Sequence, residues 1–195
     1  LNPIITSAIV IIAVLSLCRI DYSSYEKGAS FISYFLTPAT ICYAVPLYRQ
    51  IQSLKQHGLA LVLGILSGCI TSALCIIGFS LLFGFSKELY ASMLPKSITT
   101  AIGIALSEQI GGIPAVTVGA IMITGLTGAV IAPVICKLFR ITEKEAVGIA
   151  IGSASHAIGT SKAFEMGEVE GAMSSLSIVI SGIITVILVP FLNFL

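Results

Sequence analysis

The residues best able to do chemistry in this sequence lie between residues 153 and 171, in the stretch SASHAIGTSKAFEMGEVEG. This stretch places His156, Lys162, three acids and several hydroxyl side chains between two apolar segments. A histidine can take up a proton near neutral pH, and hydroxyl groups can hydrogen-bond a small hydroxylated or keto acid. We therefore predict an anion site in which His156 offsets charge or couples movement to the proton gradient. The alternative is a histidine that only bonds a neighbouring helix.

The composition indicates whether the chain is surrounded by water or by lipid. Of the 195 residues, 56% are hydrophobic and only 10% are charged, and the mean hydropathy is +1.07. Soluble domains have about 25% charged residues. The chain is therefore predicted to be an integral membrane protein. Its net charge of +1 gives no reason to expect a nucleic-acid partner.

Five uncharged apolar runs alternate with short charged loops. The runs cover residues 1–18, 28–48, 58–86, 109–136 and 171–195, and each reaches the roughly 17–25 residues that a spanning helix needs. We predict an all-α, polytopic helix bundle that forms one transmembrane domain over residues 1–195. Lysine and arginine in loops 49–57 and 137–145 favour a cytoplasmic position for both loops.

Two short polar segments interrupt this pattern. Residues 97–107 supply only 11 uncharged residues, which cover about half of the hydrocarbon core at about 1.5 Å per residue. The segment 146–161 is also short and is rich in glycine and serine. Both segments are predicted to be broken or re-entrant. For the first, the alternative is a broken helix that spans the membrane from about residue 90 to residue 109.

The two segments match each other. SITTAIG, residues 97–103, aligns with SASHAIG, residues 153–159, at an offset of 56. Further pairs at this offset, or with one residue inserted, are Gly111 with Gly167, Glu108 with Glu165, Gly125 with Gly182, and Pro133 with Pro190. One crossing per copy would make this an inverted repeat, and paired interrupted segments point to a transporter-type site at mid-membrane. Two full crossings would make the copies parallel.

The predicted substrate-binding residues lie in or beside these segments, where hydroxyls and the N-termini of half-helices could hold an anion. They are Lys96, Ser97, Thr99, Thr100, Gly103, Ser153, Ser155, His156, Gly159 and Thr160. His156, Glu108 and Glu165 are the predicted proton-coupling residues. Glu108 could instead cap a helix, Glu165 could pair with Lys162, and the hydroxyls could serve only close helix packing.

A third feature is the segment from residue 36 to residue 50, which two prolines interrupt. Pro38 and Pro46 each remove a backbone donor and disfavour helix in the preceding residue. The segment is either an ordinary kinked span or an unwound element that exposes Thr37, Thr40 and Tyr43 to the cavity.

Other kinds of site are not expected. The five cysteines lie in apolar runs without a CxxC pair, which is typical of small buried hydrophobes. No metal site and no other cofactor are therefore predicted. Ser155 and His156 are chain neighbours that point to different faces, and no HExxH motif occurs. We expect no enzymatic activity and no catalytic residue.

Three stretches resemble the LrgB/CidB family of bacterial membrane proteins, and the resemblance extends over essentially the whole chain. They are LPKSITTAIGIALSEQIGGIPA (94–115), GSASHAIGTSKAFEMGEVEGAMSSL (152–176) and PATICYAVPLYRQ (38–50). The resemblance implies a multi-pass protein of the bacterial cytoplasmic membrane. It also implies a missing N-terminal spanning helix before LNP, and a kinship to antiporter-like folds with inverted repeats of broken helices.

The resemblance implies two functions. A plant relative carries glycolate and glycerate and some bacterial members are linked to pyruvate uptake, so a transporter of small monocarboxylates such as pyruvate, glycolate or lactate is expected. A small LrgA/CidA-type membrane partner and a homo-oligomer are expected with it. The alternative is an antiholin-like regulator of murein hydrolase activity, autolysis and programmed cell death that acts through membrane assembly.

Overall fold

The structure, a computed structural model, describes residues 3–35 and 51–193 together with the single positions 38, 41, 42, 45 and 48. The chain divides into two compact units, residues Leu1–Ala44 and Val45–Leu195. All regular secondary structure among the described residues is helical. Thr37, Thr40, Tyr43 and Pro46 lie outside the described residues, so the third cavity element stays a prediction.

The first unit contains two helices, α1 (Pro3–Cys18) and α2 (Tyr22–Ser33). The left-handed backbone of Arg19, with φ of 49°, ends α1, and an extended Asp21 precedes α2. The sequence predicted a charged loop between the apolar runs 1–18 and 28–48, but α2 begins at Tyr22, so this prediction was wrong for residues 22–27. Polar residues there are compatible with helix.

The second unit is built around three long helices: α3 (Ile51–Phe83), α6 (Pro114–Leu138) and α8 (Glu168–Leu192). Their segments Gly58–Phe83, Pro114–Leu138 and Glu168–Leu192 are long and apolar enough to cross a membrane. These segments confirm three of the predicted apolar helices. Proline at the first position of α6 explains why this helix starts at residue 114 instead of 109.

The helix α7 (Lys144–Met166) folds back on itself at His156. His156 has φ of 41° and ψ of −137°, which no helix contains. A Cβ atom on Gly159 would lie 3.2 Å from the carbonyl oxygen of Ile151; in a straight helix, residues eight apart are separated by about 12 Å. Residues 144–155 and 157–166 are thus the two arms of a re-entrant structure, here called hairpin 2. This confirms the predicted break.

Hairpin 1 has the same shape. It consists of α4 (Lys87–Met93), a turn, and α5 (Thr100–Gln109). The hydroxyl oxygen of Thr117, on α6, lies 3.0 Å from the Ser92 carbonyl and 2.7 Å from the Ser107 hydroxyl, so Thr117 ties the two arms together. A Cβ on Gly103 would lie 3.5 Å from the Pro95 carbonyl, the same relation that Gly159 has to Ile151.

Both ends of hairpin 1 lie at the C-terminal end of α8. The Tyr90 hydroxyl donates to the Leu192 carbonyl at 2.6 Å, and Asn193 Nδ2 donates to the Ile110 carbonyl at 3.1 Å. Residues 90 and 110 are therefore on the same side of the molecule. The alternative of a broken helix that crosses fully from residue 90 to residue 109 was wrong.

Hairpin 2 begins and ends at the opposite end of α8. Gly148 approaches the backbone of Glu170, and Gly171 packs against Phe164. The two hairpins therefore extend toward each other from opposite ends of the second unit. Each is followed by a helix of 25 residues, α6 or α8.

The two long helices of the repeat run in opposite directions. Along α6, Cys136 shares a buried cluster with Val147, and Gly128 contacts Ser155, so α6 is antiparallel to the first arm of hairpin 2. Along α8, contacts to the same arm advance from Glu170 near its start to Ser174 against Gly152, so α8 is parallel to it. The repeat is therefore inverted, which is the arrangement expected for one crossing per copy.

Each hairpin also contacts the long helix of the other repeat near its tip. A Cβ on Gly182 of α8 would lie 3.5 Å from Ile102 of hairpin 1. A Cβ on Gly125 of α6 would lie 2.8 Å from Ile158 of hairpin 2. In the sequence repeat, Ile102 aligns with Ile158 and Gly125 aligns with Gly182. The two contacts are therefore equivalent, and they are exchanged: each hairpin tip packs on the long helix of the other repeat.

Candidate functional site

The tips of the two hairpins meet at one cavity of about 450 Å³. Helix α3, both hairpins and α6 contribute to its wall, so it lies at the interface of the two repeats. Its described lining residues are Gly68, Ser72, Cys75, Lys96, Ser97, Ile123, Thr124, Thr127, Gly128, Ser153, Ala154 and Ser155. Four of the ten predicted binding residues, Lys96, Ser97, Ser153 and Ser155, are brought together here.

Lys96 supplies the positive charge of the cavity. Its Nζ donates to the hydroxyls of Ser72 and Ser97, each at 3.2 Å, and these two hydroxyl oxygens are 3.1 Å apart. None of the described lining residues is acidic, and the described part of the chain shows no carboxylate within salt-bridge distance of Lys96. An ammonium group without a carboxylate partner is suited to bind an anion.

Ser155 places an unsatisfied hydroxyl at the same cavity. The residue is fully buried and packs against Gly128, and its Oγ has no hydrogen-bond partner. Buried hydroxyls are usually bonded, and leaving one unpaired costs about 1–3 kcal/mol. By contrast, Ser153 donates to the Ile149 carbonyl of its own arm at 2.8 Å. Ser155 is therefore the lining hydroxyl most in need of a ligand.

His156 lies behind the cavity wall. Only 3% of its surface is exposed, its Nε2 is 3.0 Å from the Ile121 carbonyl, and its ring covers Gly125. The histidine carbonyl accepts the Thr160 hydroxyl at 2.9 Å. These contacts fix the reversal of hairpin 2. The predicted helix–helix hydrogen bond is thus present, and the proton-coupling role stays a prediction.

Five other predicted binding residues lie in the hairpins and are not part of the described cavity lining. Thr160 is buried and also shares a 2.7 Å hydrogen bond with Ser174 of α8. Gly103 and Gly159 are buried where the arms of their hairpins approach each other. Thr99 is the residue before α5 and Thr100 its first residue. The described lining of the cavity includes none of these five.

Glu108 and Glu165 lie at the outer ends of their hairpins, and both are exposed. Glu165 forms an ion pair with Lys162, with 2.7 Å between Oε2 and Nζ. This confirms the pairing that the sequence left open. The two acids occupy matching positions of the repeat. Their proton-coupling role stays a prediction.

The sequence did not predict the lining residues of the long helices, chiefly Ser72, Thr124 and Thr127. One signal was available. Thr124 and Thr127 are three residues apart in an apolar helix, so they share a face, and Gly128 follows directly. Polar residues on one face of a membrane helix favour the protein interior.

A groove of about 790 Å³ adjoins the cavity between α3 and the first arm of hairpin 2. It shares Gly68, Ser153 and Ala154 with the cavity and reaches Glu143 and Glu145 at the outer end of the hairpin. Toward the other end, the buried cluster of Ile76, Tyr90, Leu94, Ile98, Leu106 and Val189 fills the space between α3, hairpin 1 and α8. The groove therefore extends toward one end of the second unit.

Comparison with known proteins gives a family. The LrgB-like family matches residues 1–195. Antiholin-like protein LrgB of Bacillus cereus (strain B4264) is 36% identical over 189 residues, which are 97% of this chain and 82% of that protein. The protein of the same name from Bacillus anthracis (strain CDC 684 / NRRL 3495) matches with the same identity and coverage. No solved structure matches the chain. The chain is thus an all-α membrane protein that belongs to the LrgB-like family, as the resemblance predicted.

Proposed function

We propose that this protein carries small monocarboxylates, of the pyruvate, glycolate or lactate class, across the bacterial cytoplasmic membrane. The observation that supports the proposal is the cavity between two opposed hairpin tips, which contains Lys96 and no described acidic residue. In the bilayer, α3, α6 and α8 would cross the membrane, and the hairpins would extend inward from opposite faces. Such midplane sites at repeat interfaces are typical of secondary transporters.

The binding chemistry follows from the lining. One carboxylate oxygen accepts from the Lys96 ammonium, a charge-assisted hydrogen bond that is stronger than a neutral one. The hydroxyl of Ser97, 3.2 Å from the same nitrogen, is placed to donate as well. A keto or hydroxy group on the next carbon would meet the unpartnered hydroxyl of Ser155 or the hydroxyls of Thr124 and Thr127.

The groove supplies a route to the site. If loops 49–57 and 137–145 are cytoplasmic, the end of the groove at Glu143 and Glu145 opens toward the cytoplasm. The cluster around Tyr90 closes the opposite side. Transport would then require the two repeats to move against each other, so that the groove closes and the cluster opens.

Substitution of Lys96 tests this function. In proteoliposomes, Lys96→Gln is expected to lower the kcat/KM of pyruvate, lactate or glycolate counterflow about 10- to 100-fold, because a hydrogen bond to a charged group contributes about 1.5–3 kcal/mol. Lys87→Gln is the matched control, since Lys87 is an exposed lysine of the same hairpin. Equal counterflow by the two variants would contradict the proposal.

The second candidate is an antiholin-like regulator, which the name of the Bacillus relatives favours. It would act with a small LrgA/CidA-type membrane protein and through homo-oligomers, and would restrain murein hydrolase activity and autolysis. Purified protein is reconstituted with and without that partner. Less dye leakage with the partner when this protein is present, and no carboxylate counterflow, supports the antiholin-like regulator. Dye leakage caused by this protein itself supports a holin-like pore component, and counterflow without leakage supports the transporter.

A further inference from the structure

We propose that Lys96 is the group that carries the coupling proton, so that one proton moves with each monocarboxylate in an electroneutral symport. The inference rests on the proposed function and adds the coupling ion and its carrier. Lys96 would bind the proton when the anion enters and would release it after the anion leaves. From the sequence, this role was expected for His156, Glu108 and Glu165.

The first ground is the charge of the cavity. Lys96 is the only charged side chain among the described lining residues. The titratable groups near it on the elements that surround the site are the thiols of Cys69 and Cys75 on α3 and the imidazole of His156 in hairpin 2. The portions of α6 and α8 that line the cavity and the space beside Ser97 present only hydroxyls and apolar side chains. A bound carboxylate is thus the natural counter-ion of the ammonium.

The second ground is the pair of hydroxyls that hold the nitrogen. The ammonium form donates to Ser72 and Ser97, which lie 3.2 Å away. A neutral amine could accept from one of these hydroxyls, because a hydroxyl both donates and accepts. The 3.1 Å separation of the two oxygens lets the hydrogens reorient while the heavy atoms stay in place. Carboxylate or carbonyl partners could only accept and would hold the lysine charged.

The third ground is the cost of moving an unpaired charge. An ammonium group without a counter-ion is costly at the centre of a bilayer. Two states of this site are neutral: the ammonium with a bound carboxylate, and the free amine without it. If the carrier changes its open side only in these two states, each cycle moves one anion and one proton in the same direction. The ammonium N–H bond breaks only after the anion has left, and water in the groove takes the proton.

His156 differs from Lys96 in its hydrogen-bond partner and in its position relative to the cavity. Its Nε2 is 3.0 Å from a backbone carbonyl, and the described lining of the cavity does not include it. A histidine held in this way fixes the tip beside the cavity. Lys96 is the titratable group that both lines the cavity and has partners suited to two protonation states.

Lys96→Arg tests the assignment, because arginine keeps the positive charge and does not deprotonate in proteins. Wild-type proteoliposomes that enclose a pH dye are expected to show labelled-lactate counterflow without a net pH change. An inward proton gradient should drive accumulation of lactate, and net uptake should acidify the interior by one proton per anion. Lys96→Arg should keep at least a tenth of the counterflow and lose more than nine tenths of the gradient-driven accumulation. The control Lys87→Arg should keep both.

A measurement on the wild type covers the case in which arginine also abolishes counterflow. Gradient-driven uptake should be unchanged when a potassium diffusion potential of either sign is imposed with valinomycin. Uptake that follows the potential, net gradient-driven uptake without acidification, or accumulation retained by Lys96→Arg would each overturn the assignment. Absence of any wild-type counterflow, with and without the partner, would instead refute the proposed transport function and this inference with it.

Discussion

Ser155 combines two properties that folding alone does not favour: complete burial and a hydroxyl without a partner. The close contact with Gly128 fixes the side chain at the cavity wall. A hydroxyl kept there without a bond is expected to serve a ligand, since the protein gains no stability from it. Ser175 offers a comparison, because it is also buried and donates to the Gly171 carbonyl at 2.9 Å.

Ser155→Ala is therefore expected to raise the melting temperature of the ligand-free protein, because it removes an unsatisfied group that costs about 1–3 kcal/mol. It should also reduce the stabilisation that millimolar pyruvate or lactate gives to the wild type. Ser175→Ala should lower the melting temperature and leave the ligand effect intact. Thermal unfolding in detergent measures both quantities. A loss of stability in Ser155→Ala equal to that in Ser175→Ala would contradict this role.

At this scale the sequence predicted the hairpin contribution to the cavity, because hydroxyls and Lys96 stand out in an apolar chain. It did not predict Ser72, Thr124 and Thr127, because single hydroxyls in long apolar helices also serve helix packing. Nor could the sequence show that Lys96 lines the cavity and that Thr100 is not among its described lining residues. Which tip residue faces the cavity depends on where the turn reverses, and only the packed structure fixes that.

The hairpin is the element that defines this fold, and His156 is the residue at its reversal. The backbone of His156, with φ of 41° and ψ of −137°, is in a region that glycine favours. For any other residue this conformation costs about 1–3 kcal/mol. Its buried ring and its contact with the Ile121 carbonyl offset that cost. A straight helix at this position would carry no such strain.

The strain predicts an unusual order of stability for two substitutions. His156→Gly and His156→Ala lose the same ring, but glycine relieves the backbone strain, so His156→Gly should be the more stable by about 1 kcal/mol. At exposed Ser161, in the second arm, alanine should be more stable than glycine by about 1 kcal/mol. Chemical denaturation in mixed micelles measures both pairs. If alanine is the more stable residue at both positions, residue 156 is part of a continuous helix.

The sequence repeat predicted the register of these elements well. His156 corresponds to Thr100 at the offset of 56, and the chain leaves helical geometry at His156 and before Thr100. The sequence did not decide between a re-entrant hairpin and a full crossing, because length alone is compatible with both. The deciding contacts, such as Thr117 with Ser92 and Ser107, join residues that are distant in sequence.

On the scale of the whole molecule, the opposed hairpins predict a pattern of surface access. Single cysteines at Ser86 and Gln109, both exposed at the outer ends of hairpin 1, should react with an impermeant maleimide from the same face of the membrane. Cysteines at Lys144 and Glu165, exposed at the outer ends of hairpin 2, should react only from the other face. Each hairpin returns to the side where it began, which explains the pattern.

The measurement uses sealed right-side-out and inside-out vesicles and a background in which the five native cysteines are alanine. That background, unlabelled in both preparations, is the control. With loops 49–57 and 137–145 in the cytoplasm, the first pair should label in right-side-out vesicles and the second in inside-out vesicles. Labelling of residues 86 and 109 from opposite faces would mean that the first segment crosses the membrane.

The exchanged contacts of Ile102 with Gly182 and of Ile158 with Gly125 have a consequence for the ancestry of the chain. Neither half contains the glycine that receives its own hairpin tip. A half-length ancestor could complete both contacts only by pairing with a second copy inserted in the membrane upside down. Such a protein would have needed no strong preference for one orientation. The present chain joins the two orientations covalently, which frees each half to diverge. Lys96 now lies in the first half and His156 in the second.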